Sequence, residues 1–241
     1  MVYETFYNAY LIKSDLFKLK LGKITTFDIQ ELINEVKSNS SKKRVKIHLN
    51  ACFQLAIDTG ILTFNPVKAT AIPKDKKTKQ KKTLNKDQLD KIFNYCKNPD
   101  GNQEIYLQLH DLYFLMLHSG LRIGEALAIT WDNVDLDNKL IKVRRTYHEI
   151  TKTFSTPKTE TSIRDIPLFD DLLEILKSKE RSNELLFSIF IDKPTKDYAK
   201  MISNKIGIKF TNHMFRHTFA SNCLVKGINP KTIQKWLDIQ S

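Results

Sequence analysis

The feature that most limits how this chain can fold is a short stretch, residues 73–83, reading PKDKKTKQKKT. It holds six lysines against one aspartate, has no apolar period and opens with a proline. Unpaired ammonium groups cannot be taken out of water cheaply, so this stretch stays on a surface. The apolar residues on its two sides must then condense separately. That predicts two domains, residues 1–72 and 84–241, joined by an exposed linker. A length of 241 residues suits one or two domains of roughly 100–200 residues each.

The linker is the densest part of a basic chain. Lys and Arg number 39 against 27 Asp and Glu, a formal charge of +12, and only 7 of the 39 are Arg. Lys74, Lys76, Lys77, Lys79, Lys81 and Lys82 read either as a solvated hinge or as a strap along a phosphate backbone, and both can hold together. With 41% hydrophobic residues, the composition excludes a disordered tail or a fibre. Apolar runs such as Tyr113–Leu117 fall far short of the ~20 residues that span a bilayer, so no membrane partner is expected. The opening MVYETFYNAY has no basic start followed by an apolar stretch, hence no secretory signal. Cys52, Cys96 and Cys223 are far apart and read as free thiols of a reducing, cytoplasmic compartment.

The first region reads as helical. Thr25 and Asp28 have capping-box spacing, and Ile29, Leu32, Ile33 and Val36 follow as an amphipathic stripe. A second stripe, Val45, Leu49, Cys52, Phe53 and Ala56, ends at Gly60, and Asn65-Pro66 halts further helix. Beyond the linker, Leu89, Ile92, Phe93 and Cys96 mark a helix, and Ile105–Leu117 a buried one closing near Gly120. Val134–Leu136 and Leu140–Val143 flank a polar turn at Asp137-Asn138 and suggest a hairpin, with Ser162–Leu168 as a third strand. Helices resume near Asp170, Lys196 and His213, and Pro230 suits the first turn of the last one. Helices, a small sheet and helices again make the second region α+β.

Three segments carry chemistry. In HSGLRIGEALAITWDNVDL, Arg122 follows Gly120 closely and Glu125 lies three residues on. In STPKTETSIRDIPL, Lys158 sits in a polar turn before a strand. In HMFRHTFASNCLVKGINPKTIQKWL, His213 and Arg216 share a helical face at i, i+3. Taken singly, each has an ordinary reading. An Arg near a helix start is usually solvated, a loop Lys more so, and Glu125 braces its own turn or its Arg. His213 and His217 echo a zinc spacing, but no Glu follows the first His and no carboxylate ligands are near, so no metal is expected.

Together and in this order, SGLRIGEALAITWDNVDL, PKTETSIRDIPL and HMFRHTFAS closely resemble the catalytic domain of the tyrosine recombinases, the phage-integrase family. LGKITTFDIQELINEV and NACFQLAIDTGILTFNP resemble that family's helical core-binding domain. The resemblance implies a multidomain fold: an all-α core-binding (SAM-like) domain, then an α+β catalytic domain, mainly helical with a small antiparallel sheet. It implies DNA integration and recombination by breaking and rejoining phosphodiesters, without metal or nucleotide cofactor. The partners implied are double-stranded DNA and other recombinase subunits, and the setting a mobile element. Arg122 and Arg216 would clamp the scissile phosphate, Lys158 would protonate the leaving 5′-oxygen, and His213 would assist beside the phosphate. Glu125 falls where the family often carries a supporting acid.

The resemblance also identifies a departure. The family continues past its last helix with Leu-Gly-His and, some residues on, the nucleophilic Tyr. Here the sequence reads Trp236-Leu237-Asp238-Ile239-Gln240-Ser241, and the last Tyr in it is Tyr198. Aligned directly, Asp238 stands for the glycine and Ile239 for the histidine. A second alignment draws a later tail forward and puts Gln240 at the nucleophile. Both imply a C-terminally truncated member, inactive alone, or else a non-catalytic DNA-binding or regulatory partner of a full-length integrase. An unrelated RNA binder would require the hairpin between Val134 and Leu168 to be missing.

Overall fold

The computed structural model describes residues 4, 7–73, 82–156, 162–181 and 183–239. The chain divides into two compact units, Met1–Lys79 and Gln80–Ser241.

The described residues of the first unit are helix and loop. Helix α1, Thr26–Glu35, begins where the Thr25 hydroxyl accepts from the Asp28 N–H while the Asp28 carboxylate accepts from the Thr25 N–H at 2.8 Å. These bonds satisfy amides that a helix start leaves without partners. Ile29, Leu32, Ile33 and Val36 are all buried. Helix α2, Asn39–Asp58, buries Val45, Leu49, Phe53 and Ala56 against them. Cys52, at the edge of that stripe, is exposed, so the buried face is narrower than the sequence spacing suggests. After α2 the chain returns along α1, where the Gln30 side chain bonds both the N–H and the carbonyl of Ala71.

The described residues of the second unit are mainly helical, with two small antiparallel sheets. Helix α3 spans Lys86–Lys97 and α4 spans Gln103–Ser119. α4 is the central rod. Leu109, Leu112, Tyr113, Leu115 and Met116 are buried nearly all round it, the pattern of a helix enclosed on several sides. A short α5, Ile123–Leu127, follows. Strands β1 (Val134–Asp135), β2 (Leu140–Val143) and β5 (Arg164–Pro167) form one sheet in the order β1-β2-β5, with Val134 opposite Ile141 and Val143 opposite Arg164. Strands β3 (Thr146–His148) and β4 (Thr153–Ser155) pair separately as a hairpin. Helices α6 (Asp170–Ser178), α7 (Thr195–Ile206), α8 (Asn212–Val225) and α9 (Pro230–Leu237) complete the unit.

One strand expectation narrows. The strand expected over Ser162–Leu168 is confined to Arg164–Pro167. The polar turn expected at Asp137-Asn138 is present between β1 and β2; its left-handed residue is Lys139, φ +52°, and the Asp135 carboxylate accepts from the Asn138 backbone and side-chain amides. The β3–β4 hairpin was not foreseen.

The core joins α3, α4 and α8. The Tyr113 ring stacks on Phe215 of α8 at 4.6 Å, and burying an aromatic of that size contributes roughly 1.5–3 kcal/mol. α8 thus lies along α4, and its N-terminal half faces the end of α4. That crossing places the candidate site.

Candidate functional site

The site is built where α4 stops. Gly120 closes it with φ +68°, a left-handed conformation that glycine enters without Cβ strain. A Cβ there would lie 2.5 Å from both Leu237 and Phe219, so the turn is pressed between α8 and α9. Two residues later Arg122 caps α5, and the Glu125 carboxylate accepts its backbone N–H at 2.8 Å. α5 packs hard on β3: a Cβ on Gly124 would lie 2.5 Å from the Tyr147 carbonyl.

Glu125 is the buried hub. Its oxygens accept both terminal nitrogens of Arg164 on β5, at 3.1 and 2.8 Å, and Arg122 Nη1 at 2.8 Å. Arg216 Nη1 lies 4.0 Å away. Burial alone would push the Glu125 carboxyl up, but the Arg164 fork and the Arg122 contacts outweigh it and hold the group below the usual carboxylate range. Glu125 is therefore ionised at neutral pH.

The three arginines share a second anchor. Arg164 Nε donates to the carbonyl of Trp236, Arg216 Nη2 to that of Leu237, and Arg122 Nη2 to that of Asp238 at 3.1 Å. Consecutive carbonyls at the end of α9, which lack helical partners, each accept from a guanidinium at the helix's negative pole. Arg216 also donates to the Gly120 carbonyl at 2.7 Å. Burial, then the neighbouring Arg122 charge, lowers the Arg216 pKa to about 10, which still leaves it cationic at neutral pH.

Asp238 ends α9 in the left-handed region, φ +46°. That is glycine-type backbone and gives the direct alignment of Asp238 with the family glycine a conformational counterpart. Its carboxylate accepts from Arg122 Nη1 at 3.0 Å and from the Ser162 hydroxyl at 2.7 Å. Burial would raise its pKa, but those two contacts hold it below the ordinary aspartate value.

Above this layer lies an open depression of about 390 Å³, lined by residues including Thr83, Arg122, His213, Arg216, His217 and Ile239. His213 and His217 face each other edge to face with ring centres 4.5 Å apart. The chain enters the unit beside this depression, where the Leu84 N–H donates to Thr218 on α8 at 2.8 Å. Lys82, two residues earlier, is exposed. None of the described lining residues is a tyrosine. Tyr198 packs edge-on against Tyr106 and Phe190.

The structure thus brings Arg122, His213 and Arg216 to one depression, with Glu125 beneath. Lys158, Gln240 and the linker lysines Lys74, Lys76, Lys77, Lys79 and Lys81 lie outside the described residues. Sequence reasoning missed Arg164. The signal was its place in β5, where alternation puts Arg164 on the same side as buried Ile166. It also noted Asp238 only as a departure, not as a partner of Arg122. Among the described residues no group of three or more His, Cys, Asp or Glu is gathered as for a metal, and no helix is long and apolar enough to cross a membrane.

The pattern described as the phage integrase family matches residues 82–241, nearly two thirds of the chain. The chain belongs to the phage integrase family. Among its curated relatives is a XerC-like tyrosine recombinase of Caldanaerobacter subterraneus, 27% identical over 98% of this chain and 69% of its own length. Another is the tyrosine recombinase XerA of Saccharolobus solfataricus, 29% identical over 89% of this chain and 70% of its own. The transposase from transposon Tn916 of Enterococcus faecalis is 27% identical, and the chain spans 53% of it. In fold, the chain matches the Tn1549 transposon integrase solved with transposon right end DNA at a TM-score of 0.79 and 19% identity, covering 100% of this chain and 85% of that one. A lambda integrase dimer bound to a core site gives 0.70 at 22% identity, covering 99% and 72%.

Proposed function

We propose that residues 1–241 carry the DNA-holding and phosphate-binding parts of a tyrosine recombinase, and that the nucleophilic tyrosine is not among them. The observation that carries this reading is the convergence of Arg122, Arg216 and His213 on one depression, over a carboxylate that fixes the arginines. Arg122 and Arg216 grip the non-bridging oxygens of a DNA phosphate, and these donors strengthen as charge grows on a pentacoordinate phosphorus. His213 moves or shares a proton beside the phosphate, and Lys158 protonates the leaving 5′-oxygen. The first unit acts as the core-binding domain, and the Lys-rich stretch from Lys74 to Lys82 tracks the phosphate backbone between the two. The substrate is duplex DNA at the ends of a mobile element, and the work is done in the cytoplasm.

Without a positioned phenol, attack on phosphorus loses an effective molarity worth on the order of 7–11 kcal/mol. Residues 1–241 alone therefore bind and do not cut. The Asp238 carboxylate resting on Arg122 supports the second reading, a DNA-binding partner that assembles with a tyrosine-bearing integrase.

The test is duplex binding across a salt series, paired with a nicked duplex that traps covalent intermediates. The expected result is affinity falling steeply with salt, weakened more by Arg216→Ala than by Lys158→Ala, and no denaturation-resistant adduct. Binding indifferent to salt overturns the DNA reading. An adduct overturns the missing nucleophile.

A further inference from the structure

Arg122 has five N–H donors in one plane. Glu125 takes one of them, and Asp238 takes two, through its carboxylate at 3.0 Å and its own carbonyl at 3.1 Å. The Ser162 hydroxyl holds that carboxylate from another side at 2.7 Å, and the backbone beneath it is fixed as the left-handed cap of α9. Asp238 is thus an anion of set position, resting on the guanidinium that faces the depression. Among the described residues, three guanidinium groups (Arg122, Arg164 and Arg216) and two carboxylates (Glu125 and Asp238) leave this cluster a surplus of one positive charge.

We infer that Asp238 is an internal rival to phosphate: its carboxylate occupies part of the Arg122 fork that a DNA phosphodiester would take, and it sets the phosphate affinity of the site. This rests on the phosphate-clamp reading above. Carboxylate and phosphate oxygens seek the same bidentate donors, so the two compete geometrically. They also compete electrostatically, because an incoming phosphate meets a like charge close by. Glu125 presents no such rivalry, since it is buried beneath the arginines and bound to Arg164. Removing the Asp238 charge raises the surplus to two and frees donors on the exposed side of Arg122. The αL backbone makes glycine the residue with least conformational cost here.

The experiment measures, on the full 241-residue chain, the rise in thermal midpoint with inorganic phosphate against chloride at constant ionic strength. The proteins are the parent, Asp238→Asn, Asp238→Gly, and each of these with Arg122→Gln. The midpoint rise reports ligand affinity for the folded state. Asp238→Gly is expected to bind phosphate about tenfold more tightly than the parent, with Asp238→Asn between them. Arg122→Gln should abolish the gain in both. Affinity unchanged or weakened in both Asp238 variants overturns the inference, since Asp238 would then orient Arg122 or stand by. Asp238→Asn keeps the side-chain shape and gives the answer if the glycine variant unfolds. A phosphate response indifferent to Arg122→Gln in every background places the anion elsewhere, and sinks the clamp reading along with its rival.

Discussion

Two ion pairs in the same cluster differ chiefly in their access to water. Arg164–Glu125 is enclosed, its side chains 3% and 6% exposed, and both nitrogens of the fork meet both oxygens. Arg122–Asp238 lies one layer up, with Arg122 42% exposed and a single nitrogen on the carboxylate. The enclosed pair is cut off from water: without Glu125, Arg164 would be a buried cation left with carbonyl contacts to Trp236 and Ser162. In the upper pair the Asp238 carboxylate is 10% exposed, but the Arg122 guanidinium reaches water and can take up another anion there. The same chemistry thus serves as scaffold below and as exchangeable surface above, and a phosphate site needs both.

The contrast is broken most forcefully at the hub. Glu125→Ala leaves Arg164 buried without its carboxylate and removes the brace of Arg122 and Arg216. A loss of about 3–5 kcal/mol in unfolding free energy is expected, read by denaturant titration. A loss below about 1 kcal/mol would mean that the lower pair behaves like a surface pair, and the division into layers would fail. A smaller effect is expected one bond away, at the turn that feeds Arg216 its carbonyl. Gly120→Ala combines a left-handed backbone with a Cβ 2.5 Å from Leu237 and Phe219, and should cost about 2–4 kcal/mol. Because Leu237 belongs to the helix end that the arginines hold, this variant should also weaken duplex binding. Stability lost with binding intact would show that the turn and the clamp are independent.

Much of this was legible in the sequence. Where neighbours along the chain decide the structure, the signals were sufficient: the Thr25–Asp28 cap, the stripe from Ile29 to Val36, the Gly120 stop and Pro230 at the start of α9. The β3–β4 hairpin was not, because its strands have three residues each and β4 buries none of them, so no alternation shows. In the site, resemblance and helical spacing found Arg122, His213 and Arg216, while the contacts that organise them lie far apart in sequence. Arg164 meets Glu125 across 39 residues, and Arg122 meets Asp238 across 116. No periodicity or cap encodes such a pair; only the packing of β5 and α9 on the end of α4 creates it.

The finest test of the two layers is acid. Glu125 and Asp238 both have carboxyls held below their ordinary values, 4.5 and 3.8, by arginine contacts. A lowered carboxyl contributes stability that is fully present above its unfolded value and is lost as pH falls through the folded one. Burial lowers the pKa of the His118 imidazole, so unfolding free energy should begin to fall as pH drops through the histidine range and fall further below the ordinary carboxylate range. Asp111, which burial would raise but which His110 and Lys179 hold low, adds with His118 a background common to every variant. The layers part in the slopes. Glu125→Gln removes the coupling of an enclosed carboxylate and should visibly flatten the acid limb. Asp238→Asn removes one whose partner is already shared with water and should leave the limb close to the parent's. Denaturant titrations repeated at descending pH give both slopes. If Asp238→Asn flattens the limb as much as Glu125→Gln does, the Arg122 contact is as firmly held as the one beneath it. A phosphate would then have to break a structural ion pair rather than displace a surface one.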